Sequence, residues 1–184
     1  MHILTISGSL RRTSYNKGLL RAAARLLPDH AQACEFDLGL LPLFNQDLEK
    51  DPPASVVSWK QAIGRCDGLL IATPEYNGSI SGVLKNALDW ASRPRQTSVL
   101  RGKPLAMMGA GGRRGTANAQ LALRQQAGAT GMLLMPEPEL LVSDAWARFD
   151  GEGNLIDEAT HTQLAPFIHA FVRWVRTCNE QAET

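Results

Sequence analysis

The run Gly68-Leu69-Leu70-Ile71-Ala72-Thr73-Pro74 decides the fold. It is almost continuously apolar and is ended by a proline. Such a run suits a strand buried on both faces, which is the habit of parallel sheets. Residues 104–110 (PLAMMGA) repeat the pattern, and residues 2–7 (HILTIS) supply another strand that stops at Gly8. Residues 31–38 form a weaker strand. A last one lies within 132–142, where MLLMP and ELLV compete for the assignment.

Amphipathic segments fill the spaces between these runs. Residues 16–27 read as a helix stopped by Pro28-Asp29, and residues 54–65, 80–92 and 115–128 carry helical spacing. Residues 159–177 close the chain as a helix with Leu164, Phe167, Ile168, Phe171, Val172 and Val175 on one side. Residues 39–53, rich in Pro, Asn and Asp, are a long loop. Five strands alternating with five helices predict an α/β fold: a doubly wound five-stranded parallel sheet with helices on both faces. The expected strand order is 2-1-3-4-5. In such sheets ligands bind outside the carboxyl ends of the strands, at the switch point between strands 1 and 3.

Three loops leave that edge. The first, Ser7-Gly8-Ser9-Leu10-Arg11-Arg12-Thr13-Ser14-Tyr15-Asn16, brings hydroxyls and guanidinium groups to a helix N-terminus. Free N–H groups, the positive end of the helix dipole and an arginine together make a phosphate site. The loop matches neither the dinucleotide fingerprint nor the triphosphate-binding loop, so a monophosphate fits better. Helix capping by Ser14 or Asn16 explains the same residues equally well. The second loop, Thr73-Pro74-Glu75-Tyr76-Asn77-Gly78-Ser79, offers an apolar wall and backbone groups to a flat ring system. An ordinary Asn-Gly turn is the plainer alternative, and the loop's position after the third strand favours the ligand reading. The third, Gly109-Ala110-Gly111-Gly112-Arg113-Arg114-Gly115, lets backbone approach a ligand closely. It also reads as a flexible connection whose arginines are a solvated pair.

Composition limits the partners. The 184 residues suffice for one domain with a sizeable core and are too few for two ordinary ones, so residues 1–184 are expected to form a single domain. With 44% apolar residues, 20% charged residues and a net charge of +1, nothing draws the chain to nucleic acid or to a membrane surface. The N-terminus lacks the features of a signal peptide, and no stretch reaches the roughly 20 apolar residues of a membrane span. A cytoplasmic location is expected. Cys34, Cys66 and Cys178 are dispersed and read as reduced thiols. The four histidines do not cluster with Cys or carboxylates, so no metal site is expected.

The motif Gly8-Ser9-Leu10-Arg11 with Ser14 and Asn16, followed by PEYNGSISGVLKNALDWASRP at 74–94, resembles the NADPH-dependent FMN reductase family, which includes bacterial quinone and chromate reductases. The likeness continues through Gly102-Lys103-Pro104 and Gly115-Thr116 to the final helix. It implies a flavodoxin-like fold and assembly as a homodimer or homotetramer. It implies that Ser9, Leu10, Arg11, Ser14, Tyr15 and Asn16 hold the phosphate and ribityl chain of FMN. Pro74, Glu75, Tyr76 and Asn77 would border the flavin ring, with Gly111 near it. Family members often carry an aromatic residue at position 78 and a serine at position 111, so the two glycines here would open space beside the ring.

The implied activity is reduction of a quinone or similar small acceptor by NADPH or NADH, with hydride passing through bound FMN. No side chain is expected to act as nucleophile or general base, since the flavin carries the chemistry. Arg113 and Arg114 suit attraction of the NADPH phosphate or a solvated surface role. Lys85 and Asp89 are spaced to pair on a helix where Trp90 packs. Glu137, Glu139, Asp144 and Trp146 read as structural, with a partner subunit's edge of the site as the lesser alternative. Two alternatives stand beside this reading: a reductase that releases reduced FMN as product, and a flavodoxin-like electron carrier or flavin sensor without turnover. The near-neutral charge argues against a carrier, which would be acidic for docking.

Overall fold

The computed structural model describes residues 1–182. Its elements run β1 (His2–Ser7), α1 (Tyr15–Ala24), β2 (Gln32–Glu35), α2 (Ala54–Arg65), β3 (Gly68–Ala72), α3 (Gly82–Ala91), β4 (Pro104–Ala110), α4 (Ala117–Thr130), β5 (Leu133–Leu134), β6 (Leu140–Val142) and α5 (Glu158–Ala182). Every strand pair is parallel, and the order is β2-β1-β3-β4-β5, with β6 also on β4. This is the doubly wound sheet expected from the buried runs. All five residues of β3 and all seven of β4 are buried.

Alternation along the strands divides the core in two. Ile3, Leu70, Ala106 and Met108 point to the layer of α1 and α5, against Leu19, Phe167, Phe171 and Val175. Leu4, Ile6, Leu69, Ile71, Leu105 and Met107 point to the other layer, against Trp59, Ile63, Leu84, Trp90 and Leu123. The buried indoles keep their N–H groups bonded, Trp59 to the Ala87 carbonyl at 2.9 Å and Trp90 to the Pro42 carbonyl at 2.8 Å. Asn86 donates to the same Pro42 carbonyl and accepts from the Phe44 N–H. The long loop 39–53 is thereby tied to α3. Lys85 and Asp89 form their i,i+4 pair on the outer side of that helix.

Both competing runs of the last strand are used. Leu133 and Leu134 pair with Pro104 and Leu105 at the start of β4, while Leu140, Leu141 and Val142 pair with Met108, Gly109 and Ala110 at its end. Between them lie Pro136 and Pro138, which have no N–H to donate to a ladder. The three cysteines are free. Burial pushes the Cys66 and Cys178 thiols up, which suits apolar filling rather than reactivity. No helix among the described residues is long and apolar enough to cross a membrane.

Candidate functional site

The carboxyl ends of β1, β3 and β4 open onto a trench of about 260 Å³, lined by Ser9, Arg11, Ser14, Tyr15, Asn16, Pro74, Glu75, Tyr76, Ala110, Gly111, Gly112 and Trp146. That volume lies just under the roughly 300–1,000 Å³ usual for small-molecule sites, as suits an open trench. Other hollows lie elsewhere. One sits at the C-terminal ends of α3 and α4 beside Lys85, Arg93 and Arg101, and one beside His2, Cys34 and Cys66. Neither touches the strand ends where doubly wound sheets bind ligands.

At one end of the trench the first loop is drawn tight over α1. The Ser9 hydroxyl accepts from the Arg11 N–H at 3.4 Å, and the Ser14 hydroxyl caps α1 by accepting from the Lys17 N–H. Ser14 therefore caps the helix and also lines the trench, so the two readings of this residue are compatible. The Arg11 guanidinium donates to the Thr13 carbonyl at 2.8 Å and lies 4.6 Å from the centre of the Tyr15 ring. Tyr15 in turn packs on Phe149. Asn16 has a different part. Its buried amide donates to the Ala110 carbonyl and accepts from the Ala110 N–H, both at 3.0 Å, and so fastens the first loop to the end of β4.

The second loop crosses the middle. Ser81 donates to the Gly8 carbonyl at 2.6 Å, which brings the first two loops together. Tyr76 and Ser79 exchange two backbone hydrogen bonds at 3.1 Å around Asn77 and Gly78. Both central residues have positive φ, +53° and +72°, the condition of a type I′ turn and the reason for the Asn-Gly pair. Glu75 reaches across to α4. Its carboxylate accepts from the Asn118 and Ala119 backbone N–H groups at 2.8 and 3.1 Å and from the Asn118 side chain at 3.2 Å. Thr116, which precedes α4, caps it with no side-chain bond, so Glu75 takes that office from 43 residues away.

The third loop forms the far wall. The Gly111 N–H donates to the Val142 carbonyl, and the Asp144 and Ala145 N–H groups donate to the carbonyls of Gly112 and Gly111. These bonds staple the loop to the short turn Ala145–Ala147 that carries Trp146. A Cβ at position 111 would stand 2.4 Å from the Gly115 carbonyl oxygen. Glycine at 111 is thus favoured by the close approach of the Gly115 backbone. At Gly78 the surroundings are open, and its positive φ is what favours glycine.

Of the residues expected from sequence, the trench gathers Ser9, Arg11, Ser14, Tyr15, Asn16, Pro74, Glu75, Tyr76 and Gly111. Leu10 and Asn77 are not among its walls. Leu10 is 53% exposed beside the 38–40 turn, and Asn77 sits at the tip of its own turn. Ala110, Gly112 and Trp146 line it in addition. Trp146, 59% exposed, lines this chain's own trench. Glu139 pairs with Arg124 on α4.

Residues 1–147 match the model of a family described as NADPH-dependent FMN reductase. The chain is 45% identical over 177 residues to a 2-hydroxy-1,4-benzoquinone reductase of a Burkholderia species, covering 96% of this chain and 97% of that one. It is 42% identical over 177 residues to an NAD(P)H-dependent FMN reductase of Pseudomonas aeruginosa, covering 95% of each. Among solved structures it superposes on the flavoenzyme NAD(P)H:(acceptor) oxidoreductase FerB of Paracoccus denitrificans, with a TM-score of 0.88, 35% identity, and coverage of 96% of this chain and 97% of that one.

Proposed function

The chain belongs to the NADPH-dependent FMN reductase family and is an NAD(P)H-dependent flavoprotein oxidoreductase, and on that premise we propose that its acceptor is a small quinone. The observation that supports this reading is the convergence of three loops on one open trench, with hydrogen-bond donors at one end and apolar and aromatic walls at the other.

The residues present fit FMN. At the donor end stand Ser9, Ser14, the Arg11 guanidinium and the first N–H groups of α1, a set suited to a phosphate. The one carboxylate lining the trench, Glu75, is spent on α4 and leaves that end free of competing negative charge. When bound, FMN supplies the two-electron carrier between NAD(P)H and the acceptor. The remaining work falls to this chain. Ser9, Arg11 and Ser14 hold the phosphate. Pro74, Tyr76 and the backbone of Gly111 and Gly112 border the ring and exclude water from one side of it. Asn16 and Glu75 act as positioning residues, since their side chains fix the first loop to β4 and the second loop to α4. Tyr76 and Trp146, both more than half exposed, present flat surfaces to a planar acceptor at the open side. A homodimer or homotetramer in the cytoplasm belongs to the same proposal.

The test is a visible spectrum of the purified protein, with NADPH and then 1,4-benzoquinone added without oxygen. Flavin bands that bleach with NADPH and return with quinone are the expected result. A protein that stays colourless after saturation with FMN overturns the assignment of the trench. One that turns over with FMN but retains none acts instead as a reductase releasing reduced flavin.

A further inference from the structure

We propose that the turn Gly112-Arg113-Arg114-Gly115 selects the electron donor, with Arg113 and Arg114 binding the 2′-phosphate that distinguishes NADPH from NADH. This deepens, and rests on, the reading of the trench as a flavin site.

Position is the first support. Gly111 and Gly112 line the trench, and the two arginines follow at once, exposed on its rim and outside its walls. A nicotinamide donor that docks with its adenosine end toward this side of the trench brings its 2′-phosphate to that rim. The opposite end of the trench, at α1, carries the donor set suited to the flavin phosphate. In that pose the two phosphate-bearing ends are served by different loops.

Rigidity is the second. The Gly115 N–H donates to the Gly112 carbonyl at 2.8 Å, closing the turn, and buried Gly115 has a φ of +59°. Gly112 also accepts from the Asp144 N–H at 3.1 Å. The backbone beneath the arginines is fixed on both sides while their side chains project. Less conformational freedom is then lost when a phosphate is gripped.

Charge is the third. Other arginines around this end of the molecule have partners: Arg11 the Thr13 carbonyl and the Tyr15 ring, Arg12 Glu152, Arg124 Glu139 and Arg148 Asp157. Arg113 and Arg114 make no ion pair or side-chain hydrogen bond within the described residues. Asp144, at the base of the turn, forms no ion pair with either. Two adjacent free guanidinium groups match a phosphate dianion, which accepts bidentate bonds from each. The ribose 2′-hydroxyl of NADH offers them no charge.

The experiment compares the wild type with R113A, R114A and the double variant, all FMN-loaded. Binding of 2′,5′-ADP and of 5′-AMP is measured by calorimetry, KM for NADPH and NADH with 1,4-benzoquinone, and FMN affinity by fluorescence. For the double variant, 2′,5′-ADP affinity should fall and KM for NADPH rise, each at least about tenfold for loss of two charge-assisted contacts. Affinity for 5′-AMP, KM for NADH, kcat and FMN affinity should hold. Equal losses for the two donors, or for the two nucleotides, overturn the proposal in favour of pyrophosphate or general charge. No change in any of them also overturns it, as does a loss of FMN affinity. Wild-type protein that binds 2′,5′-ADP through these arginines but takes up no FMN sinks the flavin reading and leaves the turn's role standing.

Discussion

The carboxamide of Asn16 holds both the N–H and the carbonyl of Ala110, a residue 94 positions away and itself only 3% exposed. Asn16→Ala would leave a donor and an acceptor buried without partners. Stability of the apoprotein should fall by about 2–6 kcal/mol, read from urea midpoints, because each of the two orphaned groups costs roughly 1–3 kcal/mol. An unchanged midpoint would show that water replaces the amide and that Asn16 is not the fastening. The sequence pointed to Asn16 as a phosphate or ribityl ligand through its motif, and the trench does include it. Its grip on β4 was illegible because nothing local marks a partner so distant. Tyr76-Asn77-Gly78-Ser79 is the contrary case. The Asn-Gly pair announces its own turn, and the turn is there. Leu10 and Asn77 lie next to wall residues in sequence but are not among the trench's walls themselves.

Helix and strand boundaries were legible wherever burial is strong. The spans of β1, α2 and β4 match their expected ranges, while α1 ends at Ala24, three residues early, and α5 runs on to Ala182. The fifth strand position posed a choice between two runs, and the structure uses both, since the prolines between them break the ladder without forbidding either half. How α4 begins could not be read from its own residues, because Glu75 supplies the cap from another loop. At the start of α5 the cap is local. The Asp157 carboxylate accepts from the Thr160 hydroxyl and N–H and pairs with Arg148, and these hydrogen bonds hold it below the usual aspartate range. A depressed value means that stability is fully present above the unfolded aspartate pKa of about 3.9 and is lost as pH falls through the lower folded value. The wild type should therefore be more stable than Asp157→Asn at neutral pH, and the gap should shrink in acid. Urea midpoints measured between pH 7 and 2.5 check this, and a gap that stays constant would contradict it.

Across the whole molecule, one sheet serves two apolar layers, so neither layer has a wall of its own. Unfolding should then be a single transition. With Trp146 and Trp174 replaced by phenylalanine, Trp59 and Trp90 report the layer of α2 and α3, and far-UV circular dichroism reports all helices; their urea curves should coincide. FMN at about 100 times its dissociation constant should raise the unfolding free energy by roughly 2.7 kcal/mol through mass action. Separate midpoints for the two probes would mean that the layers unfold independently. The overall architecture was the most legible level, because continuous apolar runs in β3 and β4 admit few sheets other than a parallel one covered on both sides. The margins of that sheet have a bearing on how copies meet. β2 is four residues long and wholly exposed, and the opposite margin is split into strands of two and three residues with Pro136 and Pro138 between them. A second chain laying its backbone alongside would find no long straight row of amides to copy. Growth of the sheet from molecule to molecule, the route to fibrils, is thus denied at both margins, and association is left to the helical faces.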